Sequence, residues 1–175
     1  MSKTKIQKFL NVFILCLFLF NTNDSFGQKF TLNELISLNK KSYPNFKNYV
    51  MNKGYNFFKT ENSKDGNTFK FGYNVDYSNN MSNYWIEYTN YKDSTFPIKS
   101  SISWQTRNKR DYLAMIKEIK SNNFKYVGIE MEEKLVVTTY VKGNIIINLF
   151  QKHILDNIGA YSLTYEIGVN IKRVL

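Results

Sequence analysis

The feature that most constrains this chain is a stretch that occurs twice. Tyr43–Glu61 (YPNFKNYVMNKGYNFFKTE) recurs in weakened form as Tyr112–Glu130 (YLAMIKEIKSNNFKYVGIE), at a constant numbering offset of 69. In both copies apolar residues first have the spacing of an amphipathic helix and then alternate with polar residues, as in a half-buried strand. Gly54 ends the first helical segment and Asn123 the second. Both residue types tolerate the left-handed conformation that ends a helix, so the helix-stop signal is kept in both copies.

Three further alternating segments follow in each copy. They are Thr68–Tyr73, Tyr84–Tyr88 and Ser101–Trp104 in the first copy, and Leu135–Val141, Ile145–Leu149 and Ser162–Ile167 in the second. Together with a strand directly after each helix, at Tyr55–Lys59 and Phe124–Ile129, this pattern predicts a helix followed by three or four antiparallel strands, twice. Beyond the first hairpin the numbering offset falls from 69 to 61. The eight-residue polar segment Asp76–Asn83 therefore predicts an insertion in the first copy.

A short helix is predicted before the first copy, at Leu32–Lys41, because Thr31 and Glu34 have the spacing of a capping box. A copy of about 65 residues is too small for a comfortable core, so we expect both copies to share one antiparallel sheet with the helices on one face. The sequence thus predicts a single α+β domain over 28–175, with repeat one at about 43–106 and repeat two at about 107–169. The alternative is two generic helix-then-hairpin segments in a chain rich in Asn, Lys and Tyr.

The segment 1–27 has the organisation of a secretory signal peptide. Three lysines in Met1–Lys8 precede an apolar run of twelve residues, Phe9–Phe20, and Ser25–Gly27 has the small-x-small cleavage pattern. Twelve helical residues rise only about 18 Å, which is less than the roughly 30 Å hydrocarbon core. We therefore predict cleavage after Gly27 and an exported protein, periplasmic or secreted, with no transmembrane span in the mature chain. The alternative is an uncleaved N-terminal anchor.

Few side chains are suited to catalysis or metal binding. Cys16, the only cysteine, lies in the apolar run, and His153 is the only histidine. A mature chain without cysteine has no disulfide, thiol nucleophile or thiolate metal site, and one histidine makes no histidine-rich site. No glycine-rich phosphate loop, nucleophile elbow or metalloprotease signature occurs. We expect no catalytic residue, no metal site and no cofactor.

The positive net charge and the many aromatic residues favour a function in binding another molecule. The formal net charge of +10 favours encounters with anionic surfaces, and export argues against nucleic acid as the partner. If the helices cover one face of the sheet, Trp and Tyr side chains on the other face can anchor a partner, because they bring large rigid contact areas. The predicted partner-binding residues are Trp85, Trp104, Tyr88, Arg107 and Arg110.

An exported, cysteine-free chain with tandem helix-then-antiparallel-sheet repeats resembles in its layout the bacterial β-lactamase-inhibitor-like domains. The resemblance implies a protein-binding module whose sheet contacts a partner. We therefore expect a non-enzymatic binding protein, protein-binding or inhibitor-like, with an aromatic sheet face. Its partner would be an unidentified protein or an anionic envelope component. One alternative is a small envelope enzyme that acts on glycan or peptidoglycan through carboxylates such as Glu130 and Glu132. Another is a structural envelope protein anchored by an uncleaved N-terminus.

Overall fold

A computed structural model describes residues 29–92, 98–155 and 161–172 of the chain. The predicted signal peptide lies outside these residues. The described part contains three helices, α1 (Leu32–Asn39), α2 (Tyr43–Asn52) and α3 (Lys109–Ser121). It also contains eight strands: β1 (Tyr55–Asn62), β2 (Gly66–Tyr73), β3 (Tyr84–Tyr91), β4 (Ile98–Thr106), β5 (Lys125–Glu132), β6 (Leu135–Lys142), β7 (Ile145–Leu155) and β8 (Tyr161–Lys172).

The eight strands form one antiparallel sheet in the order β1-β2-β3-β4-β8-β7-β6-β5. The last strand of each half, β4 and β8, pair with each other at the centre. The first strand of each half, β1 and β5, therefore lies at an edge. The expectation of an α+β chain with one shared antiparallel sheet is confirmed.

The helix ends follow from local sequence chemistry. At α1 the Thr31 hydroxyl accepts a hydrogen bond from the Glu34 N–H (3.2 Å), and the Glu34 carboxylate accepts one from the Thr31 N–H (2.8 Å), which completes the predicted capping box. After α2, Gly54 has a φ of 87°, and after α3, Asn123 has a φ of 59°. Both are in the left-handed region that ends a helix.

The outer hairpins of the two halves share a register. β1 pairs with β2 through an irregularity at Phe58, and β5 pairs with β6 through one at Val127, again at the offset of 69. The next connection is ten residues long in the first half, Asn74–Asn83, and two residues long in the second, Gly143 and Asn144. The difference of eight residues equals the length of the predicted insertion.

The predicted offset of 61 is correct for β3 and β7 but wrong for β4 and β8. Ile86 pairs with Trp104 in the first half, and Ile147 pairs with Val169 in the second. The offset from Ile86 to Ile147 is 61, whereas the offset from Trp104 to Val169 is 65. The alternation of side chains is the same for both offsets, because they differ by an even number.

All three helices pack on the same face of the sheet. The Asn39 side chain of α1 donates a hydrogen bond to the Val169 carbonyl of β8 (2.6 Å). Phe46 of α2 makes an edge-to-face contact with Phe71 of β2, and Tyr112 of α3 stacks on Tyr165 of β8. Alternate residues of the strands are buried beneath the helices. No helix of the described part lies on the opposite face, which we call the open face.

Candidate binding surface on the open face

Two of the predicted partner-binding residues, Trp104 and Tyr88, lie in the core instead. Trp104 is 1% exposed, and its Nε1 donates a hydrogen bond to the Tyr55 hydroxyl (3.3 Å). Tyr88 is 5% exposed and packs its ring on Phe46. The prediction that these two side chains face a partner is wrong, because the register places them on the face that the helices cover.

Trp85 points to the open face and is partly buried there by its neighbours. It pairs across the strands with Gly72, and a Cβ at residue 72 would lie 2.7 Å from the indole and 2.4 Å from Val75. The indole therefore lies over the space left by Gly72. Phe58 contacts it edge-on with ring centroids 4.9 Å apart, and the Lys70 Nζ lies 4.8 Å from its centroid.

The loop Asn74–Asn83 adds a third aromatic ring to this side of the sheet. Tyr77 is 60% exposed and its ring centroid is 6.1 Å from that of Phe58. The loop is held by Asp76, whose carboxylate accepts hydrogen bonds from the Ser78 N–H and hydroxyl and from the Asn79 amide. These hydrogen bonds lower the pKa of Asp76. The eight extra residues of the first half thus extend the aromatic cluster around Trp85.

Two cavities share the Trp85 side chain. The larger, of about 370 Å³, is lined by Phe58, Lys59, Lys70, Asn80 and Trp85. The smaller, of about 80 Å³, is lined by Ser82, Asn83, Trp85, Gln105, Thr106, Arg107 and Thr164. We call Phe58, Lys59, Lys70, Trp85 and Arg107 the Trp85 surface. Sequence reasoning predicted Trp85 and Arg107 but missed the other three, of which Phe58 is placed by the irregularity in β1.

The Trp85 surface carries three basic side chains, two of which are paired with carboxylates. Lys70 pairs with Glu87 (2.7 Å), and Lys59 pairs with Glu61 (2.5 Å). Arg107 is exposed and forms no salt bridge with a described carboxylate. The exposed parts of these aromatic rings, beside such a guanidinium, suit a partner that presents an apolar group next to an acidic one. Arg110 does not join this surface, because it lies in the first turn of α3, on the covered side of the sheet.

A separate crevice of about 360 Å³ collects the carboxylates Glu34, Asp111 and Glu118. Asp111 is buried, pairs with Lys29 (2.9 Å) and accepts a hydrogen bond from the Tyr84 hydroxyl (2.8 Å). Burial, together with this hydrogen bond to Asp111, raises the pKa of Tyr84 to about 12, so the phenol stays a donor. Glu118 accepts a hydrogen bond from the Leu32 N–H (2.7 Å).

The third carboxylate of the crevice, Glu34, is held in its ionised form. Burial alone would raise its pKa, but hydrogen bonds from Lys53, Tyr49 and the Thr31 N–H outweigh it and lower the pKa from 4.5 to about 2. A carboxyl group with such a pKa carries no proton to donate near neutral pH. Together the three carboxylates hold residues 29–32 in place, through the Lys29–Asp111 salt bridge and hydrogen bonds from the Thr31 and Leu32 N–H groups.

The remaining acidic residues that suggested carboxylate chemistry lie on the sheet edge. Glu130 and Glu132 are exposed on β5, opposite Val137 and Leu135 of β6. Within residues 29–92, 98–155 and 161–172, no three His, Cys, Asp or Glu side chains are grouped so as to hold a metal ion.

Comparison with protein-family models, with curated proteins and with solved structures finds no match to this chain. The resemblance in layout to β-lactamase-inhibitor-like domains stays a prediction. None of the described helices combines the length and the apolar character needed to cross a bilayer.

Proposed function

We propose that this chain is an exported, non-enzymatic binding protein whose partner contacts the Trp85 surface. The observation that supports the proposal most directly is a tryptophan on the open face, flanked by Phe58 and three basic side chains and bordered by two cavities. Tryptophan and arginine are the residue types that most often dominate binding energy when a partner excludes water from them.

The chemistry of the surface favours an acidic protein as the partner. An apolar side chain of the partner would enter the larger cavity, which Phe58 and Trp85 line together with Lys59 and Lys70. An acidic group beside it would pair with the Arg107 guanidinium, which accepts carboxylates in a two-pronged geometry. After cleavage at Gly27 the chain keeps 21 Lys and Arg (24 − 3) against 13 Asp and Glu (14 − 1), and this formal net charge of +8 would speed the encounter with such a partner.

Replacing Trp85 by Ala should weaken capture of the partner about 30-fold, which corresponds to about 2 kcal/mol for the loss of a central anchor. The measurement is quantitative affinity capture from the envelope fraction of native cells, with the tagged protein and its variants compared side by side. Arg107→Glu should weaken capture as well and change its salt dependence, because it reverses the charge.

Leu113→Ala is the matched control, because Leu113 is also exposed and apolar but lies on α3, on the covered side of the sheet. It should leave capture unchanged. Capture that survives Trp85→Ala and Arg107→Glu would contradict the proposed surface. The parent could instead capture an acidic glycan or lipid, with capture lost in both variants. That result would confirm the Trp85 surface as the binding site and identify the partner as an anionic envelope component.

Export follows from the predicted signal peptide, which lies outside the described residues. We expect the N-terminus of the mature protein to be Gln28, or a residue within a few positions of it, because the small-x-small pattern ends at Gly27. Edman degradation or mass spectrometry of the protein from the native host measures this. A membrane-bound product that retains Met1 would support the anchored structural protein instead.

We infer that the two halves arose by internal duplication. The inference is supported by the strand irregularities at Phe58 and Val127, which lie at the same offset of 69 as the sequence repeat. The residues of the aromatic cluster are not repeated: Ile146 takes the place of Trp85 at the offset of 61 that relates β3 to β7. The binding surface would thus be an addition to the first half. Superposition of β1–β2 on β5–β6 in a crystal structure tests the inference, and hairpins that fail to superpose would contradict it.

A further inference from the structure

We propose that β5 pairs antiparallel with β5 of a second copy, so that two sheets join edge to edge in a symmetric dimer. This surface is independent of the Trp85 surface, because β1 and β5 lie at opposite edges of the sheet. The occupant and the register follow from three properties of β5.

The first property is a concentration of exposed apolar side chains. Eight large hydrophobic residues are exposed in the described part of the chain, and four of them lie on β5: Tyr126 (52%), Val127 (59%), Ile129 (48%) and Met131 (72%). Tyr126, Ile129 and Met131 face the covered side of the sheet, as their pairing with β6 shows. The helix of this half, α3, packs on β4 and β8 and does not extend over β5, so these three side chains stay uncovered. Clusters of this kind mark interaction sites.

The second property is an unpaired backbone edge. β5 is hydrogen-bonded to β6 on one side, and no other strand among the described residues pairs with its outer side. An exposed apolar edge strand is a template for a further strand. The other edge, β1, exposes only one large apolar side chain of the described part, Phe57, and its Phe58 ring packs against Trp85.

The third property is self-complementarity, which selects a second copy as the occupant. An antiparallel pairing centred on Ile129, with the extra residue Val127 skipped, places Lys125 opposite Glu132 of the second copy and Tyr126 opposite its Met131. Lys125 and Glu132 both point to the open face, and Tyr126, Ile129 and Met131 all point to the other. Lys125 therefore meets Glu132, Glu130 lies opposite the uncharged Gly128, and apolar side chains meet apolar ones.

The alternative arrangements lack this match. A parallel pairing of the two β5 strands would place like charges together at both ends. A pairing of β5 with β1 of another copy uses different surfaces on each side and continues into an open chain of molecules. The β5–β5 pairing closes after two copies and leaves free only the β1 edges, which expose fewer apolar side chains.

Charge reversal tests the register. The purified parent should sediment as a concentration-dependent dimer in analytical ultracentrifugation. Lys125→Glu and Glu132→Lys should each weaken the dimer about tenfold, because each converts both cross-strand ion pairs into like-charge pairs. The double variant Lys125→Glu/Glu132→Lys should recover the parent dissociation constant. An equimolar mixture of the two single variants should form a heterodimer for the same reason.

Lys59→Glu on β1 is the matched control, because Lys59 is an exposed edge lysine like Lys125, and it should leave dimerisation unchanged. Circular dichroism and melting temperature verify that all variants stay folded. A parent that is monomeric at all accessible concentrations would overturn the proposal. This holds also if β5 then proves to bind an extended peptide of another protein. A dimer that ignores both charge reversals, or that the double variant does not restore, overturns it as well.

Discussion

Trp104→Ala is expected to lower the free energy of unfolding by about 3–5 kcal/mol, because truncating a buried aromatic side chain leaves a cavity. Trp104 is 1% exposed, stacks in parallel with Tyr84 and contacts Phe30 edge-on. The variant also leaves the Tyr55 hydroxyl without the indole N–H that now donates to it. For a chain of this size the melting temperature should fall by roughly 6–20 °C.

The matched control is Trp85→Ala, the same substitution on the open face of the neighbouring strand. Trp85 is partly exposed and no described helix covers it, so its loss should cost less than half as much stability as the loss of Trp104. Thermal melts of both variants measure the difference. Equal and large destabilisation by the two substitutions would place Trp85 in the core and remove the main support for the Trp85 surface. A Trp104→Ala variant that melts with the parent would contradict the packing.

Helix positions and chain reversals were predictable because they depend on neighbouring residues. α1 begins at the predicted Leu32 and ends at Asn39, two residues before the predicted Lys41. Gly54 and Asn123 have the predicted left-handed conformation, since few other residues adopt it at low cost. The capping box at Thr31 is likewise a contact between residues three positions apart.

The candidate surface was predicted only in part because it depends on pairing between distant strands. Alternation within β4 shows that Trp104 and Ile102 share a face, but Trp and Tyr are suited both to a core and to an interface, so residue type alone did not assign that face. Phe58 reaches the open face at an irregularity in the pairing of β1 with β2, and the Trp85 indole occupies space that Gly72 on β2 leaves open. Sequence spacing carries no information about such cross-strand contacts.

Acidification is expected to lower the free energy of unfolding through protonation of Glu34. The folded-state pKa of Glu34 is about 2, below its ordinary value of 4.5. A carboxyl group whose pKa is depressed by folding stabilises the folded state fully above the unfolded-state pKa, and this contribution disappears as the pH falls through the folded-state pKa. A pKa difference of one corresponds to about 1.4 kcal/mol, and solvent screens part of the effect because the carboxylate is partly exposed. We therefore expect the parent to lose about 1–2 kcal/mol of stability from this one group between pH 5.5 and pH 2.

Glu34→Gln isolates the contribution of that carboxylate. The amide cannot form the 2.8 Å ion pair with Lys53, so the variant should already be less stable than the parent at pH 7 and should lose correspondingly less on acidification. Urea unfolding at a series of pH values between 2 and 7 gives both curves. Glu61→Gln is the control: the carboxylate of Glu61 also pairs with a lysine but is largely exposed, so solvent screens the pair and the curve should follow that of the parent. If the free energy of unfolding of the parent and of Glu34→Gln has the same pH dependence, Glu34 does not couple proton binding to folding. The charge of the Glu34 carboxylate would then add no net stability at the start of α1.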